Sequence, residues 1–186
     1  MQSGTPVQAN QGFGTILDDF ALRNITGAEG SLSVYLRGKK GAVVIFWSGL
    51  CSHCVRYDQY LNSFVERHPE LGLVAVASRQ GEPPEQILKT VADRGLVFPI
   101  LHDPGSKVAV RWFTQQTPRA FLMDAQRNLL YRGAIDNFKY PEDPEYVAYL
   151  EPAIDQFLKG EPIVRTETAS YGCAIQSVYY ILPRAL

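Results

Sequence analysis

The run Ala42-Val43-Val44-Ile45-Phe46-Trp47, followed after Ser48-Gly49-Leu50 by Cys51-Ser52-His53-Cys54, restricts the fold more than any other stretch of the chain. A continuous β-branched and aromatic run without polar alternation suits a strand covered on both faces. From Cys54 to His68 the apolar residues Val55, Tyr57, Tyr60, Leu61, Phe64 and Val65 recur mostly at three- and four-residue spacing. That spacing predicts one apolar helical face, which Pro69 ends. A dithiol is thereby placed where a buried strand hands over to a helix.

The remaining pattern extends this βα unit. Residues 73–77 predict a second apolar strand and 84–94 a helix, with Ile87, Leu88 and Val91 inward and Gly95 as its stop. Residues 97–101 predict a third strand, and Asp103-Pro104 a cap opening a short helix through Trp112. Residues 120–123 and 129–134 flank the polar turn 124–128 and predict a hairpin. Asp143-Pro144 is expected to open a last helix that Gly160 closes. Upstream, Ala21-Leu22-Arg23-Asn24-Ile25, broken by Thr26-Gly27, suggests a leading hairpin. The fold class is therefore α/β, a three-layer sandwich whose central mixed sheet has helices on both faces, with an N-terminal hairpin extension. Residues 1–14, polar and Gly-rich, are expected to be flexible, residues 15–160 to form the domain, and residues 161–186 a tail packed on it.

Bulk properties narrow the function classes. The net charge of −1 gives no electrostatic reason to expect nucleic acid or an anionic membrane. The ten Tyr and nine Phe are scattered through strand and helix patterns and form no basic-aromatic stripe. No segment approaches the roughly 20 apolar residues that span a bilayer. The first residues lack the features of a leader, so the expected compartment is cytoplasmic, or periplasmic if a leader has been removed.

The dithiol carries the chemistry. Thiolate is the attacking species in disulfide exchange, and unpaired N–H groups at a helix start favour it. Cys51 is thus the expected nucleophile. Cys54, with two residues between, can reach back to resolve a mixed disulfide. His53 is a candidate to lower the Cys51 pKa through a partly charged imidazole. A zinc site wants about four ligands, whereas CxxC supplies two and His53, His68, His102 and Cys173 form no second pair. Haem attachment needs His directly after the second cysteine, where Val55 stands. No cofactor and no metal are expected.

Phe46-Trp47 before Cys51-Ser52-His53-Cys54, with Thr117-Pro118 opening a later strand, resembles the thioredoxin superfamily. The roughly 64-residue gap from Cys54 to Pro118, the leading hairpin, the stretch from Phe98 to Ala109 and Arg132-Gly133-Ala134-Ile135-Asp136 make it similar to the redoxin, AhpC/TSA-like branch. The resemblance covers about residues 15–159. It implies a thiol–disulfide oxidoreductase acting on disulfide-containing proteins, with a thiol reductant or oxidant as second partner. It also implies that Pro118 is cis, that the backbone at Thr117 and Pro118 is exposed for a substrate chain to pair with, and that Trp47 helps bind substrate. Many relatives carry a buried acid six residues before the first cysteine, where Ile45 stands here, leaving Asp58 and Asp136 as candidate proton acceptors for Cys54.

Two other classes stay open. A peroxiredoxin-like peroxidase would use Ser48, three residues before Cys51, but would want Pro where Val44 stands. A copper-binding redoxin module would use Cys51, Cys54 and a histidine. The third thiol, Cys173, either packs as a small apolar residue beside Ile175 and Val178 in a short strand with Tyr179 and Tyr180, or serves as a second resolving or metal-binding cysteine.

Overall fold

The computed structural model describes residues 14–176. The leading segment 1–14, Gly14 excepted, and Val178, Tyr179 and Tyr180 of the expected tail strand lie outside these residues. The elements in chain order are β1 (Ala21–Asn24), β2 (Glu29–Ser31), α1 (Leu32–Leu36), β3 (Gly41–Trp47), α2 (Ser52–Val55), α3 (Asp58–Asn62), α4 (Phe64–Arg67) and β4 (Leu71–Ala77). They continue with α5 (Pro84–Arg94), β5 (Ile100–His102), a 3-10 turn (Pro104–Ser106), α6 (Lys107–Arg111), β6 (Gln116–Thr117), β7 (Arg119–Asp124), β8 (Leu129–Gly133), α7 (Leu150–Lys159) and β9 (Cys173–Ala174).

Seven strands form one mixed sheet in the order β2-β1-β5-β4-β3-β7-β8. β3 lies at its heart, parallel to β4 and antiparallel to β7. All seven β3 residues are buried because the strand has a core on each face. Val43, Ile45 and Trp47 point into one apolar cluster with Leu61, Phe64, Ile87, Leu150 and Ile154. Ala42, Val44 and Phe46 point into the other, with Leu32, Leu36, Val108 and Trp112. The period-two alternation of a strand thus sends neighbouring residues to opposite layers. α2 to α5 and α7 cover one face and α1 and α6 the other, which makes the thioredoxin-like α/β sandwich. The β1–β2 hairpin extends the sheet through β5. Among the described residues no helix is long and apolar enough to cross a membrane.

Three sequence expectations need correction. The helix expected over 54–68 is three short segments, joined at Tyr57 (φ −101, ψ 4) and Ser63 (φ −90, ψ 0). Tyr57 is drawn inward by the 2.6 Å bond from its hydroxyl to Asp136, and the Ser63 hydroxyl donates back to the Gln59 carbonyl at 3.0 Å. Such back-bonding bends helices. The last helix starts at Leu150 and not at Asp143, because Pro152 is tolerated only in a first turn and Asp136 and Ala148 form an antiparallel bridge. The third strand starts at Ile100, since Pro99 has no N–H to give to a ladder and only its carbonyl pairs, with Ala75.

Candidate active site

β3 ends at Trp47, and the loop 48–50 carries the chain across the edge of the core to Cys51. Two charged side chains grip that loop from opposite sides. The buried Glu82 accepts the Ser48 hydroxyl at 2.7 Å and the Gly49 N–H at 2.6 Å. Arg94 donates to the Gly49 carbonyl at 3.2 Å while pairing with Asp58. The carboxylate comes so close that a Cβ on Gly49 would lie 2.8 Å from Glu82 Oε1. Sequence reading missed Glu82, which lies outside the strand searched for a buried acid. The two acids considered are engaged elsewhere, Asp58 by Arg94 and Asp136 by Tyr57.

Cys51 precedes the first turn of α2 and lies 3.7 Å from Cys54. Both are reduced and neither has any exposed surface. As a thiol, Cys51 donates to the Thr117 carbonyl at 3.2 Å. As a thiolate it becomes an acceptor, and its pKa is held at about 4, far below an ordinary thiol. The largest cause is the hydrogen bond from the Cys54 thiol, which outweighs the opposing effect of burial. The Cys173 thiol, the Thr117 hydroxyl and the Cys173 backbone N–H lower it further. Cys54 moves the other way, well above the ordinary range, first through burial and then through its bond to Cys51 and the charge there. One charge is thus shared by a pair, and it sits on Cys51.

The His53 imidazole is exposed and stands edge-on to Phe138, 6.0 Å between ring centres. Trp47, expected to help bind substrate, is fully buried against Phe98 and beneath the Arg94 guanidinium, so it offers no surface. The Thr117–Pro118 peptide is cis, and both residues are buried.

The largest departure from expectation concerns the backbone at Thr117. It is not free: β6 pairs antiparallel with β9, Thr117 opposite Cys173 and Gln116 opposite Ala174. Nor do Cys173 and Ile175 share one apolar cluster. Cys173 packs on the dithiol side, whereas Ile175 is buried on the opposite face of the sheet. Among the described residues no group of three or more His, Cys, Asp or Glu side chains is arranged to hold a metal ion.

Comparison with known proteins agrees with this construction. Thiol-disulfide oxidoreductase ResA of Bacillus cereus is 28% identical over 89 residues, 48% of this chain and 51% of that protein. The chain therefore spans about half the length of this curated relative. Two solved structures are similar over nearly the whole chain. A hypothetical protein of Sinorhizobium meliloti 1021 is 29% identical with a TM-score of 0.78, covering 90% of this chain and 95% of that one. An uncharacterized conserved protein of Geobacillus kaustophilus is 25% identical with a TM-score of 0.79, covering 95% and 98%. Residues 13–132, well over half of the sequence, match the AhpC/TSA family, and the chain belongs to it.

Proposed function

We propose that this protein is a thiol–disulfide oxidoreductase that exchanges disulfides with protein substrates through Cys51 and Cys54. The observation that carries the reading is the opposed pair of thiols, one held as thiolate and the other kept protonated 3.7 Å away. Cys51 attacks one sulfur of a substrate disulfide, and the other sulfur leaves as a thiolate and takes up a proton. Cys54 then gives up its proton and attacks Cys51, forming the Cys51–Cys54 disulfide as the second substrate thiol departs. The substrate gains two hydrogens and the protein loses two. Each step runs backwards when the protein starts oxidised, and a thiol reductant or oxidant partner resets it. The name of the Bacillus cereus relative supports this chemistry.

The surroundings of Cys51 argue against the peroxidase reading. The Ser48 hydroxyl is committed to Glu82, and Val44 is buried where a peroxidatic Pro would stand. The test compares turnover of insulin disulfides with turnover of hydrogen peroxide under the same thiol reductant. Disulfide turnover should dominate, and Cys51→Ser should abolish it. Faster peroxide turnover that also depends on Cys51 would overturn the proposal.

A further inference from the structure

After α7 the chain returns to the dithiol as a strap fastened at both ends. Upstream, Arg132 N–H donates to the Thr166 carbonyl at 2.9 Å and Thr168 N–H to the Arg132 carbonyl at 3.1 Å. The Thr168 hydroxyl accepts the Ala134 N–H at 2.9 Å and lies 2.7 Å from the Tyr131 hydroxyl. Glu167 pairs with Arg132 at 2.7 Å. Downstream, buried Ile175 donates its N–H to Gln115 and accepts the Gln80 N–H, at 2.9 and 2.8 Å. Between these anchors Gly172 lies so close to β6 that a Cβ would stand 1.9 Å from the Thr117 carbonyl oxygen. The next residue is Cys173, directly opposite Thr117, whose carbonyl accepts the Cys51 thiol.

This register sets Cys173 across from the residue whose carbonyl the Cys51 thiol meets at 3.2 Å, so the third thiol lies beside the dithiol. Of the three cysteines, Cys51 and Cys54 are fully enclosed, and Cys173 alone has solvent access. A reactive cysteine needs such access if a protein-sized partner is to meet it. The dithiol lacks it in this arrangement.

We propose that Cys173 is a third exchange thiol, which closes a disulfide with Cys51 and carries it to the solvent-facing edge of the site. This rests on the dithiol chemistry above. When Cys51 holds a mixed disulfide, the Cys173 thiol gives up its proton and its sulfur attacks Cys51 Sγ. The Cys51–Cys173 bond forms as the bond to the substrate sulfur breaks, and the departing thiolate is protonated. An external thiol then attacks the accessible Cys173 sulfur and expels Cys51. Cys51 is the best leaving group of the three, because its thiolate is the most stabilised. Burial, then the hydrogen bond and charge of Cys51, hold the Cys173 pKa above the ordinary thiol value while Cys51 is a thiolate, and the His53 backbone N–H and Arg79 oppose them only in part.

The experiment adds one equivalent of dithiobis(nitrobenzoate) per chain to the full-length protein with Cys54→Ser. A first thionitrobenzoate released from Cys54→Ser/Cys173→Ser reports attack by Cys51 itself, and Cys51→Ser/Cys54→Ser measures any direct release by the accessible Cys173. In Cys54→Ser a second should follow as Cys173 displaces it. The total is then twice that of Cys54→Ser/Cys173→Ser, and peptide mapping should find Cys51 linked to Cys173 within one chain. A reaction that stops after the first release, with Cys173 still alkylatable, would overturn the proposal and leave the dithiol reading intact. No release from Cys54→Ser/Cys173→Ser would remove both. Acid-quenched wild-type protein provides an arm free of substitutions, in which a Cys51–Cys173 peptide should accompany Cys51–Cys54. Its absence at every quench time counts against the proposal.

Discussion

Cys51 owes its charge to sulfur and oxygen donors that converge on it rather than to a long helix. The segment that follows it, α2, is a single turn, which aligns few peptide dipoles. A thiol held at about 4 should react with a small alkylating agent at a nearly constant rate from about pH 5 to about pH 8. An ordinary thiol would speed up about tenfold per pH unit below its pKa of about 8.5. A rising profile in this window, or a plateau that survives Cys51→Ser, would contradict the assignment. The same shift links to stability with a definite sign. The folded pKa lies below the unfolded one, so Cys51 contributes fully above about pH 8.5, and that contribution is lost as pH falls through about 4. At this scale the sequence made Cys51 and Cys54 legible, because strand, loop and helix signals converge on them. Glu82 was invisible because no local pattern ties residue 82 to residue 48.

The loop 48–50 is short and has no side-chain packing of its own at Gly49, so its shape depends on Glu82 and Arg94. Glu82→Ala would leave the Ser48 hydroxyl and the Gly49 N–H without their acceptor in a buried place. Each unpaired buried group costs about 1–3 kcal/mol. Urea denaturation should register a loss of about that size for Glu82→Ala and a smaller one for Glu82→Gln, which keeps an acceptor. Equal stability in all three proteins would mean that the carboxylate does not hold the loop. Element by element, β3, β4, α5 and the β7–β8 hairpin were legible in runs and turns. Tertiary partners set the other boundaries: Asp136 pulls Tyr57 out of a continuous helix, and the Asn137 side chain accepts the Val147 N–H where helix was expected.

The whole molecule is a sheet sandwich closed by its own strap, and the sandwich was far easier to read than the closure. Apolar periodicity reports which face is inside, but residues 161–172 have none, and their attachment depends on single hydrogen bonds to β8. Gly133 marks the tightest of these contacts. With φ at +149, an added Cβ would stand 2.1 Å from the Thr168 hydroxyl. Gly133→Ala should therefore lift the upstream anchor, with a stability cost of about 1–3 kcal/mol. Labelling of Cys51 by a bulky maleimide should accelerate severalfold, while a small alkylating agent gains less. Unchanged bulky labelling in a folded variant would mean that the strap does not limit access.

Because β9 is covalently part of the chain, it meets β6 at an effective concentration on the order of millimolar, and dilution does not weaken it. An untethered polypeptide that pairs with Thr117 equally well must exceed that concentration merely to share the edge. Encounters with scarce or weakly complementary chains are therefore refused before any sulfur is touched. A partner that first engages Cys173 gains a tether of its own and competes with the resident strand on equal terms.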